Sequence, residues 1–205
     1  MKTIIKEITL YNFEELNEKV QERLIEERAE EMRDFYIDYD LEYKMDEEAE
    51  IILESNEIKA YYIKAYYDLS YSQGSGAMIE FTTTLKELQE RYNFLSEDVI
   101  KIIEEEYHKL EDINVYIKHD GGHYYHENAF TLDFDPCIDN YKIEAIIYNF
   151  LETRFKEVII EMNKELKETG YACIEDIEWH KQGALDFLQN EDTLYLEDGS
   201  VYNEM

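Results

Sequence analysis

The sequence predicts an α+β fold in which an antiparallel sheet of hairpins packs against several helices, including one long helix in the C-terminal half. β-type runs occur in pairs around glycine-containing turns, and segments with apolar residues at helical intervals separate them. Hydrophobic residues make up 44% of the 205 residues, which is enough for a buried core. We therefore expect a single domain, residues 1–205, that contains an acidic helical region at 12–57.

The N-terminal part of the chain predicts a strand followed by helix. Residues 4–11, IIKEITLY, are rich in β-branched and aromatic side chains and are expected to form the strand. Asn12 is the expected N-cap of the next element, because its side chain accepts hydrogen bonds from a first helical turn. Apolar residues then recur every three or four positions from Phe13 to Ile52, which predicts two helices or one broken helix.

Two hairpins are predicted farther along, at 58–83 and 113–134. The first turns at QGSG, where Gly74 and Gly76 are expected to supply positive φ, and the second turns at Gly121 and Gly122. Helices are expected at 85–92, from Ser96 to 110, from about Asp139 to Lys167 with Gly170 as its stop, and near 173–188; a small β-turn unit is expected at 193–202.

The glycine-rich stretch at 66–81, YYDLSYSQGSGAMIEF, could serve three purposes. A phosphate-binding loop requires a following helix and usually a lysine, and a nucleophile elbow requires G-x-S-x-G before a helix; this stretch has neither. Ser75 is therefore not expected to be a nucleophile. A hairpin turn accounts for the glycines, and a partner-binding role stays open because the tip carries amphipathic groups: Tyr67, Asp68, Tyr71 and Gln73.

The stretch HDGGHYYH contains three histidines close in sequence. A two-residue turn at Gly121 and Gly122 would place His119 opposite Tyr124, and His119 and His126 on one face about 7–8 Å apart. His123 would point to the other face, so a three-histidine zinc site is not expected. A two-histidine metal site completed by Glu127 or Asp133 is the alternative. His108 and His180 are expected at the solvent edge of helices, and no cofactor is predicted.

Charge is the most informative feature of the composition. The chain has 50 Asp and Glu against 20 Lys and Arg, a net charge of −30, so direct binding to nucleic acid or an anionic membrane is disfavoured and a basic partner is favoured. Between Glu14 and Glu57 there are 18 acidic and 5 basic residues. Acidic residues recur there at one-turn spacing: Glu15, Glu18, Glu22, Glu26, Glu30 and Asp34.

Neighbouring carboxylates at this spacing repel one another, so they do not favour helix formation. A helix with carboxylates at each turn can imitate a row of DNA phosphates and occupy the basic groove of a nuclease or repressor. The alternative is a heavily solvated surface without a partner. The other features indicate a soluble protein of a reducing cytosol: Cys137 and Cys173 form no C-x-x-C motif, and Met1–Leu10 has no long apolar region.

Three stretches carry a resemblance to known proteins: DLSYSQGSGAMIEF, HDGGHYYHENAFTLDF and DFLQNEDTLYLEDGSVY, about a quarter of the chain. On these stretches, above all L-S-Y-S-Q-G-x-G-A, the chain resembles a family of small acidic proteins, without an assigned activity, that recur on phages and mobile elements. The resemblance implies an anti-defence or accessory function in a bacterial host. The acidic helical segment before the first hairpin departs from the family pattern.

We therefore expect a non-enzymatic acidic inhibitor, of the anti-CRISPR or anti-restriction type, that blocks the nucleic-acid-binding surface of a basic host defence protein. The expected contact residues are the six acidic residues at one-turn spacing together with Tyr67, Asp68, Tyr71 and Gln73. Two alternatives stay open: a metal-assisted hydrolase that uses His119 and His126, and an antitoxin-like protein-interaction module.

Overall fold

The computed structural model describes residues 7–70, 74–107, 109–135 and 138–202, apart from the side chains at positions 38, 39, 177 and 178. The fold is α+β, as predicted. The helices are α1 (Glu18–Tyr39), α2 (Leu41–Ser55), α3 (Leu85–Tyr92), α4 (Glu97–Glu106), α5 (Tyr141–Phe150), α6 (Lys156–Glu175) and α7 (Ile177–Asn190). The strands are β1 (Tyr61–Asp68), β2 (Gly76–Thr84), β3 (Asn114–His119) and β4 (Phe130–Phe134).

Contacts between Cα atoms group the chain into two compact units. One unit combines residues 1–40 with 174–205, and the other consists of residues 41–173. Each unit is described by itself below. The single-domain organisation stays a prediction.

In the first unit, α1 packs against α7 around a small apolar core of Phe13, Leu16, Leu188 and Tyr195. The predicted strand at 4–11 is wrong where the structure describes it. Residues 7–10 form no strand, and Tyr11 contributes only an isolated bridge to Tyr195; residues 4–6 lie outside the described part. Asn12 is the N-cap of the next element, as predicted, but that element is a 3₁₀ turn, Phe13–Glu15. Asn17 caps α1 by accepting a hydrogen bond from the Val20 amide.

The second unit is built on a four-stranded antiparallel sheet in the order β1-β2-β3-β4. The predicted first hairpin is confirmed, with Asp68 paired to Gly76 at its end. Buried and less buried residues alternate along β3 and β4, whereas β2 is buried along nearly its whole length. Phe81 on β2 meets the Phe155 ring edge-on at 6.5 Å. The strands β1 and β4 are the edges of the sheet.

The second hairpin pairs β3 with β4, but its predicted turn is wrong. His119 lies opposite Phe130 rather than opposite Tyr124, so residues 120–129 form a ten-residue loop. Gly121 does have positive φ, +78°, and Gly122 donates its amide to the Asp120 carboxylate at 2.8 Å. This local side-chain turn satisfies the glycine amides without closing the ladder.

The predicted long helix is confirmed and runs from Tyr141 through Glu175, with one π-helical turn at Leu151–Phe155. Gly170 does not stop it. Gly170 is buried inside α6, where a Cβ atom would lie 2.7 Å from Leu69 Cδ1 and 3.0 Å from Met45 Sδ. The glycine is therefore explained by close packing rather than by helix termination. The helix α4 has the expected cap, Ser96, and α3 is capped by Thr84, whose side chain accepts a hydrogen bond from the Glu87 amide.

Candidate functional site

Gly74 and Gly76 of the first hairpin leave space for a neighbouring loop. A Cβ atom on Gly74 would lie 2.2 Å from Tyr124 Cδ1, and one on Gly76 would lie 2.5 Å from His126 Cα. The predicted positive φ at these residues is wrong, since the described glycines with positive φ are Gly121 and Gly199. The absence of side chains at Gly74 and Gly76 thus lets residues 124–126 of the second hairpin lie against them.

The buried side chain of Asn163 on α6 links the 120–129 loop to strand β2 through two hydrogen bonds. Its side-chain carbonyl accepts a hydrogen bond from the Ile79 amide at 2.9 Å, and its side-chain amide donates to the Glu127 carbonyl at 3.1 Å. Sequence reasoning missed this residue, although a lone asparagine within an apolar helical stripe is a signal of a buried polar bridge.

The expected contact residues at the first hairpin are largely engaged within the fold. Tyr67 is half-buried, and its burial raises the pKa of its hydroxyl, with the carboxylates of Glu42 and Asp46 adding to the effect. Asp68 is half-buried and accepts a hydrogen bond from the Ser70 amide at 2.9 Å. Ser75 Oγ lies 3.3 Å from Ser70 Oγ.

Two more expected contact residues, Tyr71 and Gln73, lie outside the described residues, as does His108. The hairpin tip therefore stays a predicted contact region.

Two histidines of the second hairpin, His119 and His126, support its loop. The His119 ring lies 5.1 Å from the Tyr66 ring and 5.0 Å from the Tyr125 ring, and the two tyrosine rings are 6.3 Å apart, so the three rings form one cluster. The Nδ1 atom of His119 accepts a hydrogen bond from the Gly121 amide. Its Nε2 atom lies 3.1 Å from the Tyr124 carbonyl oxygen, and because a carbonyl oxygen can only accept, Nε2 carries the proton of this hydrogen bond. His126 Nδ1 accepts the Asn128 amide at 3.2 Å.

Of the two residues expected to complete a metal site, Asp133 has another partner, since its carboxylate accepts a hydrogen bond from the Tyr148 hydroxyl at 3.1 Å. Glu127 is held through its backbone carbonyl by Asn163, a contact that does not involve its carboxylate. Within the described ranges, no group of three or more His, Cys, Asp or Glu side chains could hold a metal ion. The two-residue turn that placed His119 and His126 on one face is wrong, because a ten-residue loop follows His119.

The predicted position of His180 at the solvent edge of a helix is also wrong. His180 is only 2% exposed, and its ring lies 5.8 Å from that of Tyr36 on α1. The residue belongs to the buried face of α7 rather than to the solvent edge.

The acidic row on α1 is exposed along its whole length. Glu18, Glu22, Glu26, Glu30 and Asp34 are all solvent-exposed and follow one another every four residues, a rise of about 6 Å per step. The row winds slowly around the helix, because four residues exceed one turn of 3.6.

Glu15, the sixth residue of this set, is outside α1 and accepts a hydrogen bond from the Asn12 amide at 2.8 Å. It caps the 3₁₀ turn and is not a member of the row.

Basic side chains partly neutralise the α1 row. Glu26 lies 3.8 Å from Lys181 Nζ, and Asp34 lies 3.5 Å from the Arg33 guanidinium. No ion pair within the described part of the chain involves Glu18, Glu22 or Glu30. The row therefore keeps a negative potential that is weaker than the count of its carboxylates implies.

The outer face of α2 forms a second acidic surface that the sequence analysis did not separate from α1. Tyr43, Glu47, Glu50 and Glu54 are exposed there at spacings of four, three and four residues. Hydrogen bonds from Lys44 to Glu48 and Glu47 raise the pKa of the lysine, so these two carboxylates are paired. No described side chain forms an ion pair with Glu50 or Glu54.

Comparisons of the chain with protein-family models, with curated proteins and with solved structures find no match. Among the helices of the described residues, none combines the length and the apolar character needed to cross a membrane. Any functional conclusion therefore depends on the surfaces of the molecule itself.

Proposed function

We propose that the protein is an acidic inhibitor that binds the basic nucleic-acid-binding surface of a bacterial host defence protein, such as a CRISPR effector or a restriction enzyme. The observation that carries the proposal is the row of exposed carboxylates on α1, of which Glu18, Glu22 and Glu30 have no ion pair within the described residues. The resemblance to phage and mobile-element proteins is consistent with this role.

The physical basis of binding is charge complementarity. A net charge of −30 steers a cationic partner toward the protein and repels nucleic acid, so the two compete for the partner. With 22 residues, α1 extends about 33 Å, comparable to one turn of B-DNA. Binding to a basic groove would release the counterions of both surfaces, which makes the affinity dependent on salt.

The proposal is tested by capture on the immobilised protein. A lysate of bacteria that express CRISPR effectors and restriction enzymes is applied, and bound proteins are eluted with a salt gradient and identified by mass spectrometry. We expect a basic nucleic-acid-binding protein that is released by salt and displaced by its own DNA or RNA. Retention of no such protein, or retention that its nucleic acid does not reduce, would contradict the proposal.

Substitution of the α1 row identifies the surface that binds. The variant E22Q/E26Q/E30Q/D34N removes four charges and is expected to weaken binding of the captured partner about tenfold or more in a titration at fixed salt. The control E104Q/E106Q/E165Q/E168Q removes four charges from exposed positions on α4 and α6. Equal weakening by both variants would show that net charge, and not the α1 row, determines binding.

A further inference from the structure

An open groove of about 570 Å³ lies at the C-terminal end of α2 and belongs entirely to the second unit. Its apolar lining consists of Leu53, Ile58, Ala60 and Ile63. Its polar lining consists of Glu50, Glu54, Glu57 and Lys59. The volume is in the range of pockets that bind small molecules, and the combination of apolar surface with carboxylates suits a long cationic side chain.

Two of the charged residues in the groove are already neutralised. Glu57 lies 2.8 Å from the Arg91 guanidinium, and Lys59 lies 3.1 Å from the Glu87 carboxylate. Glu50 and Glu54 are one turn apart, exposed and without an ion pair in the described residues. The groove therefore has an uncompensated negative charge above an apolar floor.

The position of these carboxylates on the helix increases the negative potential. The last turn of α2 contains no basic residue, and the C-terminal end of a helix has a partial negative charge of its own. Carboxylates near this end are unfavourable for the isolated helix, and a bound cation would relieve their repulsion.

Backbone geometry brings the third carboxylate to the same place. Glu57, two residues after the end of α2, adopts the left-handed conformation with φ +56°, where glycine or asparagine is preferred. The Ile58 amide donates to the Leu53 carbonyl at 3.0 Å and closes this helix end.

We infer that this groove binds an arginine side chain from a basic segment of the partner protein. The aliphatic stem of the arginine would lie along Ala60 and Ile63, the partly exposed apolar residues of the lining, and its guanidinium would contact Glu50 and Glu54. Arginine is favoured over lysine because its planar guanidinium engages carboxylates through two parallel hydrogen bonds. This inference rests on the proposed function, since it names the group of the partner that the second acidic surface recognises.

The probe for the experiment is the peptide acetyl-Ala-Arg-Arg-Ala-amide, titrated at low salt into the full chain labelled with ¹⁵N. The amide signals of residues 50–63 are expected to shift most. The corresponding Lys-Lys peptide is expected to bind several-fold more weakly, and the Gln-Gln peptide is expected to cause no shift.

Variants of the groove carboxylates decide the outcome. E50Q/E54Q is expected to weaken binding of the Arg-Arg peptide about tenfold, whereas the control E104Q/E106Q, which also removes two exposed charges, is expected to retain it. The inference would be overturned by shifts as large along α1 as around the groove, by unchanged affinity in E50Q/E54Q, or by equal affinity for the lysine peptide.

Failure of the groove and failure of the proposed function give different results. If the peptide does not bind the groove but a basic partner is still captured and displaced by nucleic acid, only the groove is wrong. If the peptide binds but no such partner is captured, the inhibitor function is wrong and the arginine site stands.

Discussion

Carboxylates serve different purposes in the sheet and on the outer faces of α1 and α2. In the sheet unit they accept hydrogen bonds from the backbone: Asp46 from the Ala65 amide at 2.7 Å, Glu80 from the His119 amide at 2.9 Å, and Asp135 from the Asn114 amide at 3.1 Å. All three acidic residues are half-buried. Glu22, Glu30, Glu50 and Glu54 are exposed and have no ion pair in the described residues.

The net charge of −30 therefore combines carboxylates that support the fold through hydrogen bonds with carboxylates that are exposed and have no such bonds to the backbone within the described residues. Asp46 protects the edge strand β1, since it occupies a backbone donor that would otherwise be open to another strand. The exposed carboxylates of α1 and α2 make no comparable contribution to the fold, and repulsion between them opposes helix formation. Binding to a basic partner is the role that we propose for them.

The largest effect on stability is expected from Asp135→Ala. Its carboxylate accepts hydrogen bonds from the Asn114 amide, the Asn114 side chain at 2.9 Å and the Tyr116 hydroxyl at 2.7 Å. Removal leaves these donors without this acceptor and should lower the free energy of unfolding by about 2 kcal/mol. Urea denaturation measures it, with exposed Asp192→Ala as control. Equal stability of the two variants would show that Asp135 is no more important than a surface acid.

The same carboxylate gives a smaller, pH-dependent effect. Partial burial acts to raise the pKa of Asp135, but hydrogen bonds from Tyr116 and Asn114 prevail and lower it. The resulting stabilisation is present above the pKa of an unfolded aspartate, about 3.9, and is lost as the pH falls through the lower pKa of the folded state. The stability difference between wild type and Asp135→Ala should therefore shrink below about pH 4. A difference that grows on acidification would contradict this assignment.

Local patterns in the sequence predict most of the fold. The apolar stripes of α5 and α6 and the cap Ser96 are determined by short-range periodicity and hydrogen bonding, so one sequence is sufficient to find them. The hairpin β1–β2 is found for the same reason, because its strands are close in sequence and rich in β-type residues.

The glycines show where such reasoning fails. Gly74, Gly76 and Gly170 are required by contacts with Tyr124, His126 and Leu69, which are distant in sequence. Turn and helix-end preferences carry no information about such contacts, so the sequence alone assigns these glycines to a turn and to a helix end. The prediction that His119 lies opposite Tyr124 failed for the same reason, because the 120–129 loop is held by Gly74 and by Asn163 on α6.

The acidic surfaces are predicted from the sequence only in part. Helical spacing places Glu18, Glu22, Glu26, Glu30 and Asp34 on exposed positions of α1, as the structure has them. It does not reveal that Lys181 on α7 lies beside Glu26, because that neighbour comes from another helix. It also does not reveal the groove beside Glu50 and Glu54, whose apolar floor includes residues after the end of α2.

The most direct test of the division between folding and binding carboxylates is the free energy of unfolding of E22Q/E26Q/E30Q/D34N. The variant removes repulsive pairs of a few tenths of a kcal/mol each and loses two weak surface ion pairs, so we predict a stability within about 0.5 kcal/mol of wild type, or higher. A loss of more than about 1 kcal/mol would contradict the account, because the α1 carboxylates would then be part of what holds the fold together.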